Sequence, residues 1–590
     1  ISDRLLPAAP PPPPRGAIVA TPPRGKVLTR GARIVSLALR FGFFWWLDQQ
    51  PWAYGSEENR EAREIKRARW LRDHLVALGP TFIKIGQTLS TRVDLLPRTY
   101  VDEMALLQDK IPPFDTALAR QFIEQELGKP VEAVFDRFPE APIAAASLGQ
   151  VYRTWLKSGE EVAVKVQRPE LLETFAVDLT VLRRLAYFIE KRTKWLPGVE
   201  LLDILDEFGR KLHEEVDYER EADNTDQFRA NFQGFKGIAV PRMHRAYSTK
   251  RILTMEFMHG TKITNRQDLL AMGVDPLKTV TRMFQVNLKQ LLEDGFYHAD
   301  MHPGNILVDK DGRLIFVDFG LVGEISRSMR AQMVEAFLHA VDKDIEGLVA
   351  DLVLLGFIRP GQDPAPLKPT LQWIVDASLT NFGKRPSFKE LTNPMADLFY
   401  KYHLRVPVTF SFVIRTIIAL EGIGILLTPE FHPFDVAIPY AAKLLLSEAG
   451  QDIRDRLMDE IFTPYGLDWD RLFELVRLAR LDPGFKMGEV AGIMTEWLVS
   501  REARYVRDKV LDEFLGDEPI PWDQFERLID LAQEDPSFDL MKVASPFINF
   551  LLTPEGAPFR QRLAWKIGKD VLTGRVGDWA GAYKVVRAIL

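Results

Sequence analysis

A β-hairpin is written into residues 305–317 with acids and an amide at its open end, and few folds can use that arrangement. Asn305-Ile306-Leu307-Val308 and Arg313-Leu314-Ile315-Phe316-Val317 are apolar, β-branched runs. Asp309-Lys310-Asp311-Gly312 between them is turn chemistry. His298-Ala299-Asp300-Met301-His302-Pro303-Gly304 precedes the first strand, and Asp318-Phe319-Gly320 follows the second. Closing the hairpin brings Asp300, Asn305 and Asp318 to one cleft. Phosphoryl transfer needs that set: one carboxylate meets an acceptor hydroxyl, while an amide and a second carboxylate hold Mg²⁺ against phosphates. Asp300 is therefore read as base or orienting group, and Asn305 and Asp318 as metal ligands.

A protein-kinase-type site also needs a lysine on a strand and a helix glutamate to hold it. Glu161-Val162-Ala163-Val164-Lys165-Val166 supplies a β-branched strand whose Lys165 would reach the nucleotide phosphates. Upstream lies Ala144-Ala145-Ala146-Ser147-Leu148-Gly149-Gln150, in the place of a glycine-rich phosphate loop. Its alanines stiffen the loop and limit how closely its amides approach an anion. An acidic helix is expected from about Glu200 through Asn224, with Glu214, Asp217 and Glu221 on one face and Glu215 beside them. Glu221 is the chosen partner of Lys165; Glu215 and Asp217 face the metal or another part of the cleft. A solvated acidic face is the other reading of the same residues.

These motifs, together with Gly79-Pro80-Thr81-Phe82-Ile83-Lys84-Ile85-Gly86-Gln87 and Glu215-Val216-Asp217-Tyr218 followed by Arg220-Glu221-Ala222, resemble the UbiB (ADCK-like) family of atypical kinases. The resemblance covers about Arg60 to Gly320 and continues through a helical remainder to about Pro433. It implies an α+β, two-lobed protein-kinase-like fold with an N-terminal helical lid and a largely helical C-terminal extension. It also implies ATP or ADP and Mg²⁺ as ligands, a lid that hinders protein phosphorylation, and support of isoprenoid quinone or prenyl-lipid metabolism at a membrane. Carried over, Lys84 and Gln87 point toward the nucleotide and toward Glu215 and Asp217. No catalytic position departs from the pattern.

The chain divides into a Pro-rich tether (1–30), helices ending in the lid (31–113), a small lobe (114–258), a large lobe (259–435) and a helical extension (436–590). Glu256-Phe257-Met258 reads as the hinge that meets adenine through its backbone, which places Glu256 and Met258 in the nucleotide site. The extension shows helical periodicity without a catalytic pattern and offers a surface for a protein partner. Leu426-Leu427-Thr428-Pro429-Glu430 recurs as Leu551-Leu552-Thr553-Pro554-Glu555, a shared way of stopping an apolar helix.

Composition excludes several chemistries. With 590 residues and 46% hydrophobic content the chain can bury a large core. It has no cysteine, so disulfides, thiolate zinc sites, iron–sulfur clusters and a cysteine nucleophile are ruled out. A formal charge of −6 without a long basic run argues against nucleic acid. His298 and His302 are four apart, but Pro303-Gly304 precludes a helical metal pair.

The chain opens at Ile1, which reads as a trimmed or processed start, and no secretory segment precedes the proline run. Arg24, Lys26, Arg30, Arg33 and Arg40 lead into Phe41-Gly42-Phe43-Phe44-Trp45-Trp46-Leu47. That pattern fits an interfacial helix, and equally a helix docked on the core with its aromatics buried. Val406 to Leu427 is apolar but carries Arg415 and Glu421, so it reads as a buried helix and not a membrane span. The expected location is cytoplasmic or an organellar, plastid-like matrix, with peripheral membrane attachment. Two functions compete: a Mg²⁺-dependent atypical kinase or ATPase, and a nucleotide-gated lipid-binding or chaperone-like protein.

Overall fold

In the computed structural model the described residues are 24–48, 57–90, 96–107, 113–192, 201–341, 343–358, 363–379, 406–429, 431–446, 466–481, 485–499, 521–536 and 538–572, with a few positions between. Most of the expected tether lies outside them, and a helix already begins at Arg24. The chain forms two compact units: one from residues 1–280, 296–325 and 340–430, the other from 281–295, 326–339 and 431–590.

The first unit opens with helices α1 (Arg24–Asp48), α2 (Glu57–Leu78), α3 (Pro80–Leu89) and α4 (Arg98–Met104), followed by α5 (Thr116–Leu127). Strands β1 (Ala144–Ala145), β2 (Gly149–Trp155) and β3 (Glu161–Gln167) come next. Helices α6 (Leu171–Arg192), α7 (Leu201–Glu215) and α8 (Tyr218–Asn231) follow them. Strands β4 (Ile238–Ala239), β5 (Ile252–Glu256), β6 (Thr261–Lys262), β7 (Phe296–His298), β8 (Ile306–Val308), β9 (Leu314–Phe316) and β10 (Val322–Glu324) lead to the long helix α9 (Val408–Leu427).

The small sheet has the order β1-β2-β3-β5, every pair antiparallel. Alternation along β3 decides what Lys165 can do. Val162, Val164 and Val166 pack with Ala119 and Ile123 of α5, with Tyr152 and with Ile252. Ala163 packs on the opposite face with Tyr218, Ala222, Leu253 and Met255, and Lys165 shares that face.

The hairpin forms as the sequence indicates. Ile306 pairs with Phe316 and Val308 with Leu314. Asp309 closes the turn by accepting from the N–H groups of Asp311 and Arg313, each at 2.9 Å, and Gly312 takes the left-handed φ of 75° that this loop needs. The segment near Gly237–Pro241, expected in the small lobe, contributes β4 instead to the hairpin's own sheet, running parallel to β9.

Helices α1 to α4 bury a separate core that includes Ile34, Leu71, Phe82, Tyr100, Met104 and Val181 of α6. Its polar centre is Asp178, fully buried, which accepts from Arg30 at 2.7 and 2.9 Å and from the Thr81 hydroxyl at 2.6 Å. One carboxylate therefore ties α1 and α3 to α6. The inner face of α1 is docked, with Ile34 buried, whereas Leu28, Val35, Leu39, Phe43 and Trp46 are exposed along its other side.

The second unit has its own core, in which Val334 and Leu338 join Leu444, Leu475, Val476, Ala479, Met487 and Ala532. Two earlier stretches of chain are thus integral to it, including a π-helical turn, Lys289–Asp294, that ends on left-handed Gly295.

Candidate active site

Lys165 is the meeting point of the cleft. Its ammonium donates to both carboxylate oxygens of Glu221 at 2.9 Å and to Asp318 Oδ1 at 3.1 Å. Strand β3, helix α8 and the Asp-Phe-Gly segment converge there. Burial pushes the Glu221 carboxyl up to about 7 against the pull of Lys165. Burial also opposes the charge on Lys165, but Asp318 and Glu221 outweigh it and keep the ammonium well above its usual range. Asp318 is held well below the ordinary carboxylate range, because Lys165 more than offsets its desolvation. The backbone of Asp318 sits at φ 62°, a left-handed conformation that aspartate tolerates better than most residues.

The acidic segment is broken where one helix was expected. The backbone leaves α7 after Glu215, and Asp217 is the N-cap of α8, accepting from the N–H groups of Glu219 at 3.1 Å and Arg220 at 3.4 Å. Glu214, Asp217 and Glu221 therefore do not share a helical face. Asp217 spends its carboxylate on the cap, while Glu214 lies 3.4 Å from Arg220. The signal was present: Asp followed by Glu219 and Glu221 in the first turn is a helix start.

Glu215, at the last position of α7, receives the Lys84 ammonium from α3. Burial raises its carboxyl despite that partner. Gln87 has a different task from the one the resemblance implies. Its amide donates to the Leu107 carbonyl at 3.0 Å and, among the described residues, makes no hydrogen bond to Glu215 or Asp217. Gly86 explains the close packing there, since a Cβ would run into Leu107 and press on Leu75. The Lys-x-Gly-Gln helix is thus anchored by Gly86 and Gln87, and Lys84 reaches across.

The alanine-rich loop is a tight hairpin end. Ala144 and Ala145 pair with β2, and the Ala146 N–H donates to Gly149 O at 2.8 Å. Ser147 is buried, and among the described residues the N–H groups of Ser147 and Leu148 have no hydrogen-bond acceptor. Gly149 has no room for a side chain, because a Cβ would sit 2.6 Å from both Tyr218 Oη and Val166 O. At the other edge of the cleft, Glu256 ends β5, with its N–H on Arg242 O at 2.8 Å. The N–H of Met258, two residues on, has no acceptor among the described residues.

The catalytic-type loop is held by its own histidines. His298 Nδ1 accepts the Asp300 N–H at 3.1 Å, so Nε2 carries the ring proton and points at Val317 O, 3.3 Å away. His302 Nδ1 accepts the Gly304 N–H at 2.9 Å. Neither ring is arranged as a metal ligand, and among the described residues no cluster of three or more acidic or histidine groups forms a metal site on its own. Asn305 donates its amide N–H to Asp300 O at 3.1 Å, which leaves its amide oxygen without a protein donor among the described residues. Asn305 and Asp318 carry the hard oxygen atoms that a Mg²⁺ ion would require. They are too few to hold Mg²⁺ alone but suffice when phosphate oxygens and water complete the shell.

Two supports escaped the sequence reading. Asn224 of α8 donates to Phe319 O at 2.9 Å, and Phe319 packs on Phe228 and His298, fixing the Asp-Phe-Gly segment against the same helix that carries Glu221. Arg415 of α9 donates to Asp300 Oδ1 at 2.9 Å and to Ala299 O at 2.8 Å. Nothing local in the sequence links positions 224 and 319 or 415 and 300.

A lysine held by a helix glutamate, facing an Asp-Phe-Gly segment beside an Asp/Asn loop, makes this a protein-kinase-like chain. Residues 106–352 match the profile of the ABC1 atypical kinase-like domain. The Synechocystis protein slr1919 is 37% identical over 513 residues, spanning 86% of this chain and 89% of its own. A second Synechocystis protein, sll0005, is 35% identical over 563 residues, spanning 87% and 82%. The Arabidopsis thaliana protein ACTIVITY OF BC1 COMPLEX KINASE 3, chloroplastic, is 32% identical over 587 residues, spanning 92% and 81%. The chain belongs to the ABC1 family of atypical kinase-like proteins, the UbiB/ADCK family.

Proposed function

We propose that this protein binds Mg²⁺–ATP or Mg²⁺–ADP in the Lys165 cleft and acts as an atypical kinase or ATPase. The three-way contact of Lys165 with Glu221 and Asp318 carries this reading, since it presents an ammonium to phosphates and a carboxylate to the metal at once. Asn305 and Asp318 would hold the metal, and a bound ion would supply charge neutralisation at the phosphate oxygens. Ser147 and Leu148 offer backbone N–H groups to the phosphates, and Glu256 to Met258 offers backbone to the base. Asp300 orients the attacking hydroxyl or water. Most of the rate gain comes from positioning and charge stabilisation.

The Lys84–Glu215 contact supports a covered cleft with little room for a peptide. By family resemblance the activity supports isoprenoid quinone or prenyl-lipid metabolism at a membrane. The exposed side of α1 supports peripheral membrane contact: Leu28, Leu39, Phe43 and Trp46 are 74, 69, 56 and 51% exposed on a helix that also bears Arg33 and Arg40. Helix α9 is long and apolar enough to cross a membrane by length and composition, yet more than half of it is buried and Arg415 reaches Asp300.

Phosphate release from Mg²⁺–ATP by wild type, Asp300→Asn and Lys165→Met tests the reading. Turnover in wild type, lost in Asp300→Asn while nucleotide still binds, supports catalysis. Nucleotide-dependent lipid binding that survives in Asp300→Asn and fails in Lys165→Met would favour the nucleotide-gated lipid carrier.

A further inference from the structure

Helix α9 enters the chain more than a hundred residues after the loop it braces. It is apolar along most of its length, and a guanidinium on such a helix is costly to bury without partners. Arg415 has them on one side: the Asp300 carboxylate at 2.9 Å and the Ala299 carbonyl at 2.8 Å. Its guanidinium also lies over the Phe412 ring, 5.4 Å from the centroid, and Lys211 of α7 lies over the same ring at 5.3 Å. Six residues earlier on α9, Thr409 O accepts from the Tyr297 hydroxyl at 3.2 Å. Tyr297 in turn occupies the space a Cβ on Gly323 would need, so β7, β10 and α9 are locked together beside the loop.

A single guanidinium that grips both a backbone carbonyl and the adjacent carboxylate fixes the peptide plane and the side-chain direction together. Oδ1 of Asp300 is taken by Arg415, and among the described residues Oδ2 makes no hydrogen bond, with His302 Nε2 3.9 Å away. One oxygen is therefore left to meet a hydroxyl or water. We propose that Arg415 is a positioning residue for phosphoryl transfer, holding the Asp300 carboxylate so that Oδ2 faces the acceptor. This rests on the assignment of Asp300 as the orienting group. Lysine cannot replace the arginine fully, because a point-charge ammonium lacks the planar fork that fixes direction.

The test compares wild type, Arg415→Met, Arg415→Lys, Asp300→Asn and the Arg415→Met/Asp300→Asn double variant. Methionine keeps the stem that packs on Phe412. The expected result is a fall in kcat on the order of 10- to 100-fold in Arg415→Met, with nucleotide affinity unchanged. Arg415→Lys recovers part of that loss, added guanidinium ion restores turnover in Arg415→Met, and the double variant is no slower than Asp300→Asn alone. Amide hydrogen exchange over residues 298–305 gives a readout that needs no turnover. It should quicken in Arg415→Met while the small sheet stays protected. Wild-type exchange in that loop, wild-type kcat, or a full further loss in the double variant would each overturn the proposal. A wild-type protein that does not turn over Mg²⁺–ATP would overturn the catalytic reading of the cleft, and the exchange result would still decide whether Arg415 holds the loop.

Discussion

Lys165 and Glu221 meet through two hydrogen bonds of 2.9 Å, with Glu221 almost completely buried at the inner end of the cleft. Among the described residues neither group is paired with an opposite charge on its own element. The pair therefore binds the small sheet to α8, and Asp318 adds the hairpin segment to the same contact.

Removing one partner should cost more than removing both. Lys165→Met leaves a buried carboxylate without its cation and should lower stability by about 3–5 kcal/mol. Lys165→Met/Glu221→Met should cost less than the sum of the two single changes. Denaturant unfolding of the four proteins at pH 8 reads the coupling, and strict additivity would contradict the pairing.

Stability should also carry a signature of Glu221. Its carboxyl titrates near 7 in the folded protein and near 4.5 when exposed, so between those values the native state binds more protons than the unfolded chain. The contribution is fully present below about pH 4.5 and fades as pH rises through about 7. Melting temperature measured across that window should fall more steeply in wild type than in Glu221→Gln.

Gly149→Ala should destabilise the protein by about 1–3 kcal/mol, because the new methyl meets Tyr218 Oη and Val166 O at 2.6 Å. Tyr218→Phe should be neutral or slightly stabilising in the nucleotide-free protein. The Tyr218 hydroxyl is buried and, among the described residues, has no hydrogen-bond partner. Thermal melts of both variants check the pair of expectations.

Asp178→Ala should release α1 and α3 from α6. It strands the Arg30 guanidinium and the Thr81 hydroxyl, a loss of about 3–5 kcal/mol. Proteolysis within residues 24–48 should accelerate, whereas the small sheet should keep its protection.

The hairpin and its flanking acids were legible because local chemistry sets them: β-branched runs, a four-residue turn and a glycine at the left-handed position. Lys165 followed from the Val-Ala-Val-Lys run, and the alternation along β3 sets it on the face shared with Ala163. Asp217 was misplaced because helical spacing was extended past Glu215 into a residue whose side chain caps the start of the next helix. Gln87 was assigned by resemblance, whereas its amide is spent on the Leu107 carbonyl, a contact that depends on packing at Gly86. β4 lies within the span read as the small lobe but pairs with β9, and two residues carry no information about their partner. Asn224 and Arg415 act across 95 and 115 residues of chain, and no periodicity reports such a distance.

The most direct measurement is calorimetric titration of the protein with ATP, with and without Mg²⁺, for wild type, Lys165→Met and Asp318→Asn. The expected result is saturable, magnesium-dependent binding in wild type, weakened at least tenfold by Lys165→Met and stripped of its magnesium dependence by Asp318→Asn. Heat of binding that is absent from wild type at millimolar Mg²⁺–ATP, or identical in all three proteins, would contradict a nucleotide site built on Lys165 and Asp318.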